Sequence, residues 1–429
     1  MNIFSIITVS VTLLAMILSI IFDLKIKIWN KDISIYWVVC LIGAIVCLSF
    51  GLAGETPIKT IFFNSNNINP IKILVIFLSC TSISVLLDKI GFFSYFASII
   101  LQKSKSSQTK LFFSFSFVIA FLTIFTSNDI LILTFTPFIC YFAKNAKIDA
   151  TPYILSEFVC ANVWSMFFYI DNPTNIYMCG TFGISFLDYA LKMAIPTIVC
   201  GIVSTLIVYL LFRKKLAQKI IVNDVEIIKL NKTMLTIGLC GLSLMVLFMT
   251  ISNYIGIELW FAPLICSITT YPGIAIYAIC KRTGFDILKK SLASLPYSLA
   301  PFLLSISVFI ETLNNAGFIP EFTQFLSGQN MIVVGIIAFI LGNILNNIPM
   351  TMLFTSTLAG YCATLPVIYG VVAASNICAI LTPVGSLAGI MFMKILKNND
   401  IEYNFLTFVK YGLIISIPIL LIGLLLIAI

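Results

Sequence analysis

Histidine is absent from this 429-residue chain, charged residues make up only 10 % of it, and the 12 cysteines stand singly, without a Cys-x-x-Cys pair. That leaves no ligand set for structural zinc or haem and no imidazole proton relay. No Gly-x-x-x-x-Gly-Lys-Ser/Thr loop occurs, so ATP is not hydrolysed by that route. A Ser/Lys dyad, a His-Glu-x-x-His motif and a paired-aspartate motif are also missing, which leaves an intramembrane enzyme without its machinery. What fills the chain instead is apolar: 60 % of the residues, with a mean hydropathy of +1.10 that soluble globular domains do not approach. Lipid is the expected solvent. Apolar stretches long enough to cross the hydrocarbon core, roughly 17 to 25 residues, recur from end to end. The first, Ile3 to Phe22, has no basic residue before it and no small-residue cleavage pattern after it, so it reads as a retained span rather than a signal peptide.

Spans are expected at 3–22, 33–53, 71–87, 152–170, 190–212, 233–252, 258–280, 295–313, 367–393 and 405–428. Two further apolar blocks, 111–143 and 331–360, carry polar residues at their middles. At about 1.5 Å per residue each falls short of the roughly 60 Å that two crossings need, so each reads as a re-entrant hairpin. Polar non-helical backbone at membrane depth survives only inside protein or beside a water-filled cavity, so the tips should point inward. With hairpins returning to the side they left, all of the 25 basic residues except Lys59, Lys72 and Lys192 fall on one face. That face is expected to be cytoplasmic and both termini outside. The net charge of +8 is thereby a topological signal in a multi-pass cell-membrane protein, and no nucleic-acid partner is implied.

The order of elements repeats. An all-α polytopic protein is expected, built from two inverted repeats of five spans. Residues 1–212 form the first, with hairpin 111–143 and broken span 152–176. A cytoplasmic linker follows at 213–232, then residues 233–429 with hairpin 331–360 and broken span 367–393. Five is odd, so the second repeat enters with opposite orientation, an arrangement found in many secondary transporters.

The four breaks carry the candidate ion- and substrate-binding residues. Ser127, Asn128 and Asp129 lie in the first hairpin; Asn162, Asp171, Asn172, Thr174 and Asn175 lie in the first broken span. Asn346, Asn347 and Thr351 lie in the second hairpin; Asn376, Thr382, Gly385 and Ser386, with Ser375 nearby, lie in the second broken span. Pro173, Pro349 and Pro383 are expected to open the helices, since proline lacks an amide hydrogen and disfavours helix before it. An aspartate in mid-membrane costs about 3 kcal/mol, so Asp129 and Asp171 call for a reason. Either they bind a coupling proton or sodium ion, or they cap half-helix N-termini. Glu157 joins a proton path or faces water below the hairpin. The Asn, Ser and Thr residues form a site or act as interhelical glue worth roughly 1 kcal/mol each. Trp164 and its aromatic neighbours read as packing.

At these motifs the sequence resembles the ion transporter superfamily of arsenite efflux permeases, D-type sodium/proton antiporters and divalent-anion symporters. The arsenite permease branch is most similar. The resemblance rests on Asn128–Asp129 followed by Leu131, Ile132, Leu133, Thr134 and Pro137; on Asn346, Asn347, Ile348 and Pro349; and on the run from Leu381 through Thr382, Pro383, Val384, Gly385, Ser386 and Leu387 to Ala388. It implies a scaffold part and a transport part, alternating access and coupling to a proton or sodium gradient. Where related antiporters carry a glycine-rich run, this chain has Asn162 to Ile170, which makes the first-half cavity bulkier. The expectation is export of a small inorganic substrate, arsenite or antimonite. Sodium/proton antiport and sodium-coupled carboxylate or other anion symport are the alternatives. No resident cofactor is implied; a homodimer and an ATPase subunit remain open as partners.

Overall fold

A computed structural model describes all residues except 1, 23, 29–30, 56, 63–68, 105–106, 219–229 and 253. Most of the anticipated linker 213–232 therefore lies outside the described residues. Ten helices precede it: α1 (Ile3–Ile21), α2 (Tyr36–Ser49), α3 (Pro57–Phe62), α4 (Pro70–Ile90), α5 (Phe92–Ser104), α6 (Gln108–Thr123), α7 (Asn128–Asn145), α8 (Thr151–Trp164), α9 (Pro173–Thr181) and α10 (Phe186–Leu216). Ten follow it: α11 (Lys232–Ile251), α12 (Phe261–Lys281), α13 (Asp286–Ala293), α14 (Leu299–Asn315), α15 (Phe318–Ser327), α16 (Met331–Leu345), α17 (Asn347–Gly360), α18 (Leu365–Leu381), α19 (Leu387–Asn398) and α20 (Phe405–Ala428). Six of these, α1, α4, α10, α11, α12 and α20, are each long and apolar enough to cross a membrane; α14 and α15 together pass the same test across an 82° bend. The chain is thus a multi-pass membrane protein.

Two details depart from the sequence expectation. An antiparallel pair, β1 (Lys25–Ile28) and β2 (Lys31–Ser34), interrupts the all-helical pattern, with Lys25 opposite Ser34. Alternating Lys and Ile in β1 has the two-residue period of a strand, too short to stand out beside the long apolar runs. The span expected at 71–87 runs on, because Asp88 to Ile90 complete α4. Gly91 ends that helix in the left-handed region (φ 96°), and α5 begins at Phe92. The start of α4 is equally local in origin: Asn69 accepts from the amides of Ile71 and Lys72, and Pro70 occupies the first turn.

Side-chain contacts give the helix directions. Tyr153 of α8 donates to Gln108 at the start of α6 (3.1 Å), and Ser156 meets Ser116 farther along (2.6 Å), so α6 and α8 run parallel. Asn128 reaches Asn162 (3.4 Å) while Thr136 donates to Glu157 (2.9 Å), so α7 runs back along α8. The turn at 124–127 lies beside the end of α8. The same logic applies to α16, whose Met331 packs near Gly370 and whose Asn343 meets Thr382, parallel to α18. α17 returns from Asn347 to Gly360, four residues before α18 starts.

The interior belongs to the interrupted spans. Every residue from Pro152 to Val163 and from Ile368 to Ile380 is buried, as expected of helices apolar on all sides. The halves interlock: α7 packs against α19, α17 against α9, and α10 against α20. At one end, Thr109 donates to the Leu216 carbonyl (2.9 Å), Lys215 pairs with Asp149, and Lys144 with Asp400 (3.4 Å). Partial burial works to raise the Asp149 carboxyl, but the hydrogen bonds from Lys215 and Thr151 prevail and hold it below its ordinary range. At the other end Lys72 pairs with Glu258, and the Asn2 amide donates to the Ala316 carbonyl (3.0 Å).

Gly412 lets α20 cross the end of α18. A β-carbon there would stand 2.4 Å from the Ile380 carbonyl oxygen and 2.7 Å from that of Leu381, backbone atoms that cannot turn aside. Overpacking of this kind costs about 1–3 kcal/mol. Gly412→Ala is therefore expected to lower the Tm of the detergent-solubilised protein; an unchanged Tm would mean that α18 and α20 do not pack this closely.

Candidate functional site

The second interrupted span opens directly before a proline, whereas the helix of the first already ends at Trp164, passes through a 3-10 turn (Tyr169–Asp171) and restarts at Pro173, so Pro173 begins the next helix and does not open the one before it. The chain turns extended at Asn172 (φ −136°, ψ 132°), Pro173 starts α9, and the Asn172 side chain accepts from the Thr174 amide at 3.1 Å. In the second span Thr382 is extended (φ −133°, ψ 151°), Pro383 starts a single 3-10 turn, and the Thr382 hydroxyl accepts from the Gly385 amide at 3.2 Å. Proline thus sits where its missing amide hydrogen goes unmissed, and the residue before it supplies the cap.

Between these openings lies a buried network of neutral polar groups. Asn376 is its hub. Its amide oxygen accepts from the Ser165 hydroxyl (2.8 Å) and from Asn172 Nδ2 (2.9 Å), while its Nδ2 donates to Asn175 Oδ1 (2.7 Å) and to the Val372 carbonyl (2.8 Å). Asn175 donates to the Ser165 carbonyl (2.9 Å), and Thr174 donates to Asn172 Oδ1 (3.0 Å) and meets the Ser375 hydroxyl (3.2 Å). The first hairpin joins through the long Asn128–Asn162 contact and the second through Asn347 Nδ2, which donates to the Ser375 carbonyl (3.4 Å). A second cluster forms around the other hairpin tip. Asn346 donates to the Val384 carbonyl (2.9 Å) and accepts from the Ile348 amide (3.3 Å); Thr382 donates to Asn343 Oδ1 (2.9 Å). Asn346 is wholly buried with φ +80° and ψ 151°, a costly conformation for a side-chain-bearing residue that its two hydrogen bonds hold in place.

The remaining candidates stand apart. Ser386 caps α19 by accepting from the Gly389 amide (3.0 Å). Ser127 and Thr351 are buried, and neither hydroxyl has a partner among the described residues. Pro349 is buried in the first turn of α17. Asp129 lies part-buried beside the first tip, and its carboxylate accepts no hydrogen bond from the described residues; Tyr36 hydrogen-bonds Ser298 across the α2–α14 contact (3.1 Å). Asp171 is 1 % exposed, and among the described residues neither carboxylate oxygen makes a well-formed hydrogen bond, the Phe168 backbone offering one weak contact. Glu157 lies farther along α8, fully buried, holding the Thr136 hydroxyl with one oxygen and nothing with the other.

Sequence reasoning omitted Ser165 and Asn343 and left Ser375 at the margin. Asn343 precedes Asn346 by three residues, the spacing that puts two side chains on one helix face. Ser165 follows Asn162 by three. Those spacings were the available signals. Four half-helix N-termini, those of α7, α9, α17 and α19, begin at the breaks and bring the positive ends of their peptide dipoles to this region. No lysine or arginine takes part in either cluster. The arrangement can hydrogen-bond a small polar ligand and take up a proton or a cation at its carboxylates.

The sequence pattern of the citrate transporter family matches residues 26–366. An arsenical pump membrane protein of Escherichia coli (strain K12) is 24 % identical over 92 % of this chain and 93 % of its own length. An uncharacterized transporter of Methanocaldococcus jannaschii is 27 % identical over 72 % of this chain and 76 % of its own. Among solved structures, the YdaH transporter of Alcanivorax borkumensis aligns with a TM-score of 0.55 at 14 % identity, covering 99 % of this chain and 97 % of that one, a likeness of fold. The family and these relatives are transporters, not enzymes.

Removing the Asn376 side chain would leave Asn172 Nδ2 unpaired, at a cost of about 1–3 kcal/mol, and would take one bond each from Ser165, which keeps the Asn162 carbonyl (2.8 Å), and Asn175, which keeps Thr174 (3.3 Å). Asn376→Ala is therefore expected to lower the Tm in detergent more than Ser386→Ala, which loses one helix cap worth about 1 kcal/mol. Equal shifts would refute the role of Asn376 as hub.

Proposed function

Because the chain belongs to the citrate transporter family, within the ion transporter superfamily, we propose that it is a gradient-driven exporter of a small inorganic species, with arsenite or antimonite as substrate. The observation that carries this reading is the neutral amide and hydroxyl network around Asn376, in which no lysine or arginine among the described residues takes part, with the Asp171 carboxylate on the residue next to Asn172. Arsenite is neutral at physiological pH, so it needs hydrogen-bond partners and no countercharge. The arsenical pump relative supports the same substrate class.

Coupling falls to Asp129 and Asp171. An ionised carboxylate as isolated as that of Asp171 costs several kcal/mol in a dry interior unless a proton or a cation joins it. Asp129 lies in the first turn of α7, where a change of charge acts at the start of the hairpin's returning arm. Glu157 supplies a second buried carboxyl on the way from the end of the bundle where Asp149 lies.

The transport cycle in this reading is alternating access by two inverted repeats, residues 1–212 and 233–429, joined by the linker 213–232. Reciprocal packing supports the repeat: the returning arm of each hairpin rests on the second half of the other repeat's broken span. The concentration of Lys and Arg at one end of the bundle supports a cytoplasmic linker and outside termini. A second reading, sodium-coupled carboxylate symport, is favoured by the four converging helix N-termini, which stabilise an anion.

Everted membrane vesicles energised by a proton gradient test these readings. Arsenite uptake by the wild type, reduced at least ten-fold in both Asp129→Asn and Asp171→Asn, is the expected result. Sodium-dependent citrate flux without arsenite uptake would establish the symport instead, and sodium-triggered proton release with no metalloid would establish an antiporter.

A further inference from the structure

On the outer face of α6 and α10, away from the polar network, lies a cavity of about 280 Å³. Phe113, Phe117 and Phe121 form one wall, Ile202 and Leu206 the other, and the indole of Trp164 closes the floor. The walls are open to the surroundings: Phe117 is 72 % exposed and Ile202 52 %. Trp164 lies flat against Gly201, where a β-carbon would stand 2.5 Å from the indole, so the floor is recessed because α10 carries no side chain there. From Phe113 to Ile124 the groove follows α6 for about 16 Å at 1.5 Å per residue, close to half the thickness of a hydrocarbon core.

The mouth of the groove is basic. The hydrogen bond from Thr109 to the Leu216 carbonyl (2.9 Å) brings the start of α6 against the end of α10, which gathers Lys110, Arg213 and Lys214 at one edge. All three are exposed, and none forms an ion pair with a carboxylate among the described residues, whereas the neighbouring Lys215 is taken by Asp149. An apolar slot one leaflet deep below three cations matches an amphiphile with an anionic head and a hydrocarbon tail. We propose that this groove binds an anionic phospholipid, its phosphate on Lys110, Arg213 and Lys214 and one acyl chain along α6 down to Trp164. The chain end then rests on the last residue of α8, directly before the opening that holds Ser165 and Asn172. Lipid occupancy is thereby linked to the geometry of the first broken span.

Fluorescence of Trp164 tests the proposal. The full-length protein with Trp29, Trp37 and Trp260 replaced by Phe is reconstituted in phosphatidylcholine vesicles containing increasing amounts of brominated phosphatidylglycerol or brominated phosphatidylcholine. Half-maximal quenching is expected at a mole fraction at least five-fold lower for phosphatidylglycerol. The exposed-residue variant K110Q/R213Q/K214Q should remove that preference, since each basic residue near an anionic headgroup contributes roughly five-fold, and should leave quenching by brominated phosphatidylcholine in place. Equal quenching by the two lipids in the wild type would overturn the proposal in favour of bulk lipid in the groove. Absence of quenching by either would overturn it in favour of a second copy covering the same face. Neither result depends on which substrate is transported.

Discussion

Hydrocarbon offers no hydrogen bonds, so backbone that leaves the helix at membrane depth must be satisfied by protein. The architecture answers that constraint at each opening. Asn172 caps α9, Thr382 caps the turn after α18, Ser386 caps α19 and Asn346 holds the second tip by bonding across to Val384. Because caps alone cannot cover two openings facing each other, side chains from both halves complete the set. Asn376, from the second half, accepts from Ser165 and Asn172 of the first. The halves of the chain are therefore joined at their least helical point.

The same constraint gives the region its chemical character. Groups that satisfy broken backbone are amides and hydroxyls, and once engaged they leave few spare valences. Among the described residues, the buried polar atoms left without a partner include the Asp171 carboxylate, one Glu157 oxygen and the hydroxyls of Ser127 and Thr351, and also groups elsewhere in the bundle, on Trp37, Thr197, Tyr403 and Ser416. Buried polar atoms in native proteins are nearly always paired, and an ionised carboxylate is the costliest of them to leave unpaired. Helix N-termini add a positive bias without adding a charged side chain.

The outer surface is organised by different physics. There, contact with acyl chains costs nothing, so exposed Phe and Leu residues need no partner, and shape and headgroup charge become the discriminating features. The groove over Trp164 joins the two regimes. Its walls are ordinary lipid-facing side chains, while its floor is the end of the helix that opens into the polar network.

The sequence by itself determined the class of protein and most of its helical runs, and it marked polar interruptions inside the apolar blocks. Hydropathy over some 20 residues, proline at 173 and 383, and polar residues inside apolar blocks are local features that need no partner to be recognised. The family likeness was legible for the same reason, carried by short runs such as Leu381 to Ala388. Which polar residues meet was decided only in three dimensions. Asn376 and Asn172 are 204 positions apart, and nothing local to either one marks it as the other's partner. Ser165 and Asn343 escaped notice because a single Ser or Asn beside a break looks like any other interhelical hydrogen-bonding group. The β1–β2 pair and the stop at Gly91 were hidden by the long apolar runs around them, which dominate hydropathy while turn geometry depends on single residues. Burial made the final distinction: it separated Asp171, wholly enclosed, from the part-buried Asp129 beside the first tip, two carboxylates that composition alone renders alike.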